Sequence, residues 1–157
     1  MQKITPFLWF DHQAEEAANF YVAIFKNSKI IRVDHYGKGA QMPEGTVLTA
    51  SFELSGQRFV ALNAGPMFQF TPAVSFMVEC EDQAEVDYYW DKLSADPEAE
   101  ACGWLKDKFG VSWQVAPRQW GQLISDADPV KAGRVMQAMM QMKKIDIAGL
   151  LQAYDAA

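Results

Sequence analysis

Asp11-His-Gln-Ala-Glu-Glu16, with Phe20-Tyr21 just beyond it, has a counterpart in Glu81-Asp-Gln-Ala-Glu-Val86 with Tyr88-Tyr89. Gln13-Ala-Glu15 and Gln83-Ala-Glu85 stand 70 residues apart, and each opens a run with apolar residues at helical spacing. In the first run Ala14, Ala17, Ala18, Tyr21, Ile24 and Phe25 share a face, which predicts a helix over 12–26 capped by Asp11 or His12. Glu15 and Glu16 suit the positive end of its dipole. In the second run Asp82 is the expected cap, with Glu85 three residues on. Val86, Tyr89, Trp90 and Leu93 form its apolar stripe, and the helix stops before Asp96-Pro97.

Strands are expected on either side of both helices. Residues 3–10 read as a buried strand interrupted by Pro6, and 28–36 as a second. Residues 46–54 and 57–63 alternate and meet at Ser55-Gly56, the pattern of a β-hairpin. After Gly65-Pro66 a strand is expected over 73–80, then shorter ones around 100–106 and 111–116, separated by the turn Asp107-Lys-Phe-Gly110. Gly56-Gln-Arg-Phe-Val-Ala-Leu-Asn63 recurs loosely as Gly110-Val-Ser-Trp-Gln-Val-Ala-Pro117, a shift of 54. The remainder reads as helices opened by Pro117, Asp128-Pro129 and Asp146. The prediction is an α+β fold of strand–helix–strand–strand–strand used twice. Module one covers about 1–65, module two about 72–116, and C-terminal helices about 117–155, in one domain over 1–157.

Composition narrows the function. The chain has 157 residues, half of them hydrophobic, and a net charge of −6. That rules out disorder, and no apolar run approaches the roughly 18 residues needed to span a membrane. No basic stripe is present, and the overall charge repels a phosphate backbone, so nucleic acid is not an expected partner. Met1-Gln-Lys-Ile-Thr-Pro6 lacks the pattern of a signal peptide, which makes a soluble cytoplasmic protein the expectation. Cys80 and Cys102 are expected as reduced, largely buried thiols.

The doubled plan resembles the vicinal oxygen chelate superfamily, which includes glyoxalase I, extradiol dioxygenases and bleomycin-resistance proteins. Within it the chain looks like the PhnB-like branch, whose older label is "3-demethylubiquinone 3-methyltransferase". The resemblance is carried by Pro6-Phe-Leu-Trp-Phe10, Ala14-Glu-Glu-Ala17 with Phe20-Tyr21, Gly56-Gln-Arg-Phe59, Val74-Ser-Phe76, Cys102-Gly-Trp104, Asp107-Lys-Phe-Gly-Val-Ser-Trp-Gln114 and the tail from Met136 to Met142-Lys-Lys-Ile-Asp146. It implies two βαβββ modules forming a cup-shaped mixed sheet, and a homodimer.

In metal-dependent members of the superfamily, the first and last strands of each module supply the ligands. The matching positions here are Pro6, Asn63, Ser75 and Gln114. None brings a charge or an imidazole, and His12 and His35 fall elsewhere, so the expected site has no metal and no cofactor. Methyl transfer is not expected either. Gly37-Lys-Gly39, the one Gly-x-Gly, is followed by Met42-Pro-Glu-Gly45 instead of the helix that a nucleotide-type cradle requires.

What remains is a cup lined by Phe10, Phe59, Asn63, Ser75, Met77, Trp104, Ser112 and Gln114, apolar with a few neutral polar anchors. This points to a protein that holds a small apolar or aromatic compound. The alternatives are an enzyme of the same fold, metal-dependent or using Cys102 as nucleophile, and a structural protein whose cup is filled. Asp107 reads as turn chemistry. Met136, Met139, Met140 and Met142 read as helix packing or a chain-to-chain contact.

Overall fold

The computed structural model describes residues 2–156 and divides into two compact units, one ending at Phe70 and the other beginning at Thr71. In the first unit, β1 (Phe7–Phe10), α1 (Ala14–Ile24), β2 (Lys29–His35), β3 (Val47–Leu54) and β4 (Gln57–Asn63) form a four-stranded sheet ordered β1-β4-β3-β2. Strand β1 is parallel to β4 and the other pairs are antiparallel. Strand β1 is shorter than the eight residues expected, because Pro6 has no N–H for the ladder and contributes only its carbonyl, which accepts from Val60 N–H at 3.0 Å.

The β3–β4 turn carries positive φ at both Ser55 (48°) and Gly56 (86°), which matches the twist of the flanking strands. Alternation then fixes the faces. Leu8, Phe10, Ala50, Phe52, Phe59, Ala61 and Asn63 are buried on the side covered by α1, where Tyr21 stacks on Phe52 and Phe52 on Phe59.

Neither Asp11 nor His12 caps α1. The N-cap position is Gln13, whose side chain makes no cap bond. Its role passes to β4, because Asn63 Oδ1 accepts from Ala14 N–H at 2.8 Å. A long-range cap of this kind has no local sequence signature.

The second unit contains β5 (Ser75–Cys80), α2 (Gln83–Leu93), β6 (Trp104–Lys106) and β7 (Ser112–Pro117), in a three-stranded sheet ordered β5-β7-β6. It is one strand short of the first. After α2 the chain makes a 3-10 turn at Pro97–Ala99, and Cys102 and Gly103 take positive φ (53° and 86°), so 100–103 turns where the sequence reading expected a strand. The expected cap of α2 is present: Asp82 accepts from Glu85 N–H at 2.9 Å.

Three helices follow: α3 (Trp120–Ile124), α4 (Pro129–Met140) and α5 (Ile147–Asp155). Pro117 ends β7 instead of opening α3. The helices have a core of their own, made by Leu123, Val135, Ile145 and Leu150, with Met139 and Met142 packed against it. Arg134 ties α4 to α5 through the carbonyls of Ala153 and Tyr154. Among the described residues no helix is long and apolar enough to cross a membrane.

Candidate functional site

The sheet of the second unit has one face under α2 and one face away from it. Val78, Cys80, Leu105, Trp113 and Val115 are the buried set. Alternation turns Ser75 and Met77 of β5, Ser112 and Gln114 of β7, and Trp104 and Lys106 of β6 the other way, and the register aligns Met77 with Gln114 and Gln114 with Trp104. Gln114 Nε2 donates to Ser75 Oγ at 2.9 Å. On this face lies a cavity of about 440 Å³. Its floor is Met77, Trp104 and Gln114, and its far wall is Trp120 of α3 with Met139 and Met140 of α4. No charged side chain lines it.

Two devices hold the helices beside the sheet. Cys102 and Gly103 donate their backbone N–H groups to the carbonyls of Met142 and Lys143, both at 2.8 Å. A side chain at 103 is doubly excluded: its φ is 86°, and a Cβ would stand 3.0 Å from Val115 O and 3.2 Å from Ile145 Cγ1. The second device is Gln83, the residue that began the repeat. Its Nε2 donates to Ile145 O at 3.0 Å and its Oε1 accepts from Ile147 N–H at 2.8 Å, so one amide grips the α4–α5 connection from both sides. The β6–β7 turn is fixed as firmly. Asp107, 3% exposed, accepts from the N–H groups of Phe109 and Val111 and from Trp113 Nε1, at 2.9, 3.0 and 2.9 Å.

Of the eight residues expected at a binding site, Met77, Trp104 and Gln114 line this cavity. Ser75 holds the amide of Gln114, and Ser112 is its buried neighbour across the ladder. Phe10, Phe59 and Asn63 belong to the first unit and lie on the side of its sheet that α1 covers. The reason is strand parity: Phe10 alternates in step with Leu8 on β1, and Phe59 and Asn63 in step with Ala61 on β4, which puts all three on the helix side. Asn63 uses its amide for the fold, accepting from Ala14 and donating to Val47 O at 3.1 Å. The aromatic loop that follows packs back on β1, Phe68 against Trp9 and Phe70 against Phe10.

The residues at the superfamily's metal-ligand positions do not fit a transition metal. Pro6 has no donor, Asn63 is engaged on both sides, and Ser75 and Gln114 bond each other. Among the described residues no three His, Cys, Asp or Glu side chains are grouped to hold an ion. His12 sits exposed beside Asp11, and His35 is exposed on β2.

The thiols differ. Cys80 is fully buried, and burial, followed by Glu85 and Asp82, pushes its pKa up to about 12. Cys102 is only partly buried, contrary to expectation, because the left-handed turn carries it to the cavity wall, its Sγ 3.8 Å from Met140 Sδ.

Residues 2–116 match the family described as 3-demethylubiquinone-9 3-methyltransferase. That is most of the chain. The chain belongs to this PhnB-like family, a branch of the vicinal oxygen chelate superfamily. Among solved structures, the PhnB protein from Bacillus cereus is 41% identical, with a TM-score of 0.64, over 74% of this chain and 99% of that one. A protein from Staphylococcus aureus is 31% identical over 73% of this chain and 95% of that one, with a TM-score of 0.34. Protein PA1353 from Pseudomonas aeruginosa shares the fold at 19% identity and a TM-score of 0.59, over 74% of this chain and 98% of that one. No functionally curated protein matches the chain.

Sequence reasoning missed the far wall of the cavity. Trp120, Met139, Met140 and Ile145 lie beyond residue 116, where the family match stops, and the tail motif that reaches Ile145 gave no sign of a cavity. The methionine cluster was the available signal. Its members differ: Met142 packs against the helical core, Met139 both packs there and lines the cavity, and Met140, 60% exposed, lines the cavity without belonging to that core.

Proposed function

We propose that this PhnB-like chain is a metal-free small-molecule-binding protein that holds an apolar or aromatic compound in the cavity of its second unit. The observation that carries the reading is the lining: two indoles, three thioethers, one thiol and one amide around about 440 Å³, with no charged side chain. That volume falls in the range of small-molecule sites. An ionised ligand would lose its hydration there without a partner, so the occupant is neutral. Trp104 and Trp120 offer flat apolar faces, and methionine sulfur favours aromatic ring edges. With Gln114 Nε2 bonded to Ser75, the amide oxygen is left to accept from a ligand O–H or N–H.

Methyl transfer, the activity in the family's description, is not what this site supports. Gly37-Lys-Gly39 lies between the antiparallel strands β2 and β3, where no helix follows to hold a cofactor's anionic groups. A second reading rests on one observation. The partly buried thiol of Cys102 at the cavity wall makes a Cys-based enzyme the alternative. The pairing of two chains that the superfamily implies also belongs to the proposal, and light scattering of the purified protein reads it directly.

Titration calorimetry with three naphthalenes tests the assignment. Saturable binding of neutral 2-naphthol is expected, unchanged by a chelator or by added Zn²⁺, Ni²⁺ or Mn²⁺. 2-Methoxynaphthalene, which has no donor for Gln114, should bind about tenfold more weakly. Naphthalene-2-sulfonate should not bind measurably. Binding that requires a metal, or that prefers the sulfonate, overturns the reading. Turnover of 2-naphthol or its covalent attachment at Cys102 would favour the enzyme.

A further inference from the structure

The family match ends at residue 116, before α3–α5 begin. Those helices are not a loose tail. They have their own core and are fastened to the sheet by the backbone of Cys102 and Gly103 and by the amide of Gln83. Lys144 adds an ion pair to Asp87 at 3.0 Å. They also supply the cavity wall that faces the Met77–Gln114–Trp104 floor.

From this we infer that the C-terminal helices are the specificity element of the binding site, with Met140 setting the length of ring system that fits. The inference rests on the binding reading given above and deepens it. The floor belongs to the family domain and recognises a flat neutral molecule with one hydrogen-bond donor. The wall comes from the helices after residue 116 and limits how far that molecule reaches. Met140 is the residue that can vary at little cost to the fold, because it is 60% exposed while its neighbour Met139 packs on the helical core. Its thioether, 3.8 Å from the Cys102 thiol, narrows the cavity between α4 and the turn before β6. Trimming it to a methyl opens that end, and an indole there closes it. Rings longer than two therefore select for the first variant and against the second.

The test compares 2-naphthol with the three-ring 9-phenanthrol by calorimetric titration of the full chain. Met140→Ala should raise the affinity ratio of 9-phenanthrol to 2-naphthol at least threefold, and Met140→Trp should lower it about tenfold. Met136→Ala, a change at an exposed methionine of α4 that does not line the cavity, should leave the ratio where it is. The opposite signs of the two Met140 variants separate a change of shape from a general loss of folding. An unchanged ratio in both, with 2-naphthol still bound, overturns the role of the helices and leaves the binding reading standing. A shift equally large in Met136→Ala overturns it as well. Failure of the unmodified chain to bind 2-naphthol overturns both readings together.

Discussion

Replacing Asp107 by Asn changes one atom's chemistry at a site that is 3% exposed, and the structure indicates how much that costs. The carboxylate accepts from Phe109 and Val111 N–H through Oδ1, and from Trp113 Nε1 through Oδ2. An asparagine amide can place its oxygen toward only one of these two groups. With the oxygen on the backbone pair, the new NH₂ faces the indole N–H, two donors at a contact of 2.9 Å in the wild type. The loss is one buried donor left unsatisfied, about 1–3 kcal/mol, plus the weakening of two charge-assisted bonds to neutral ones. Relief of the buried charge offsets part of it.

A net loss of about 2–4 kcal/mol is expected for Asp107→Asn, out of a total on the order of 5–15 kcal/mol for a domain. In urea followed by far-ultraviolet circular dichroism, which avoids relying on tryptophan emission, the midpoint should fall by about 1–2 M. The diagnostic step is a double-mutant cycle with Trp113→Phe, which removes the conflicting donor. The Asn substitution should then cost about 1–2 kcal/mol less than it does with tryptophan present. Two outcomes would refute the reasoning: Asp107→Asn within about 0.5 kcal/mol of the wild type, or effects that simply add.

The other two predictions concern polar groups that the fold uses. Asn63→Ala strips α1 of its long-range cap and leaves Val47 O without its donor, and should cost about 1–3 kcal/mol; faster hydrogen exchange at Ala14 N–H is the specific readout, and unaltered exchange there would argue against the cap. For Cys80 the sign follows from linkage. Its folded pKa of about 12 lies above the ordinary 9.0, so between those values the unfolded chain loses a proton that the folded chain keeps. Stability should therefore be fully present below pH 9 and decline as pH rises toward 12, by up to about 1 kcal/mol per pH unit. Cys80→Ala should flatten that part of the denaturation profile, and parallel slopes in the two proteins would contradict the linkage.

How much of this was visible in the chain itself depends on whether the signal was local. Both principal helices, the Ser55-Gly56 hairpin and the Asp82 cap are written in neighbouring residues, because periodicity, turn φ values and capping act over a few positions. The family resemblance was also legible, spread over motifs from Pro6 to Asp146. Metal-ligand positions could be questioned from residue type alone, since Pro, Asn, Ser and Gln lack the necessary donors whatever their placement.

Faces and partners were another matter. Phe10, Phe59 and Asn63 look as suited to a pocket as Met77 and Gln114 do, yet strand parity puts the first three under α1 and the other two on an open face. A one-residue difference decides that, and apolar runs such as 7–10 carry no alternation to reveal it. The missing strand before β6 follows from positive φ at Cys102, which no propensity for cysteine would suggest. The sequence by itself determined the elements and the family, because those follow from contacts a few residues long. Only the tertiary structure decided that Gln83 fastens the helices so that Met140 faces Gly103 and Gln114 across one cavity, since hydrogen bonds spanning 62 and 64 residues leave no trace in local pattern.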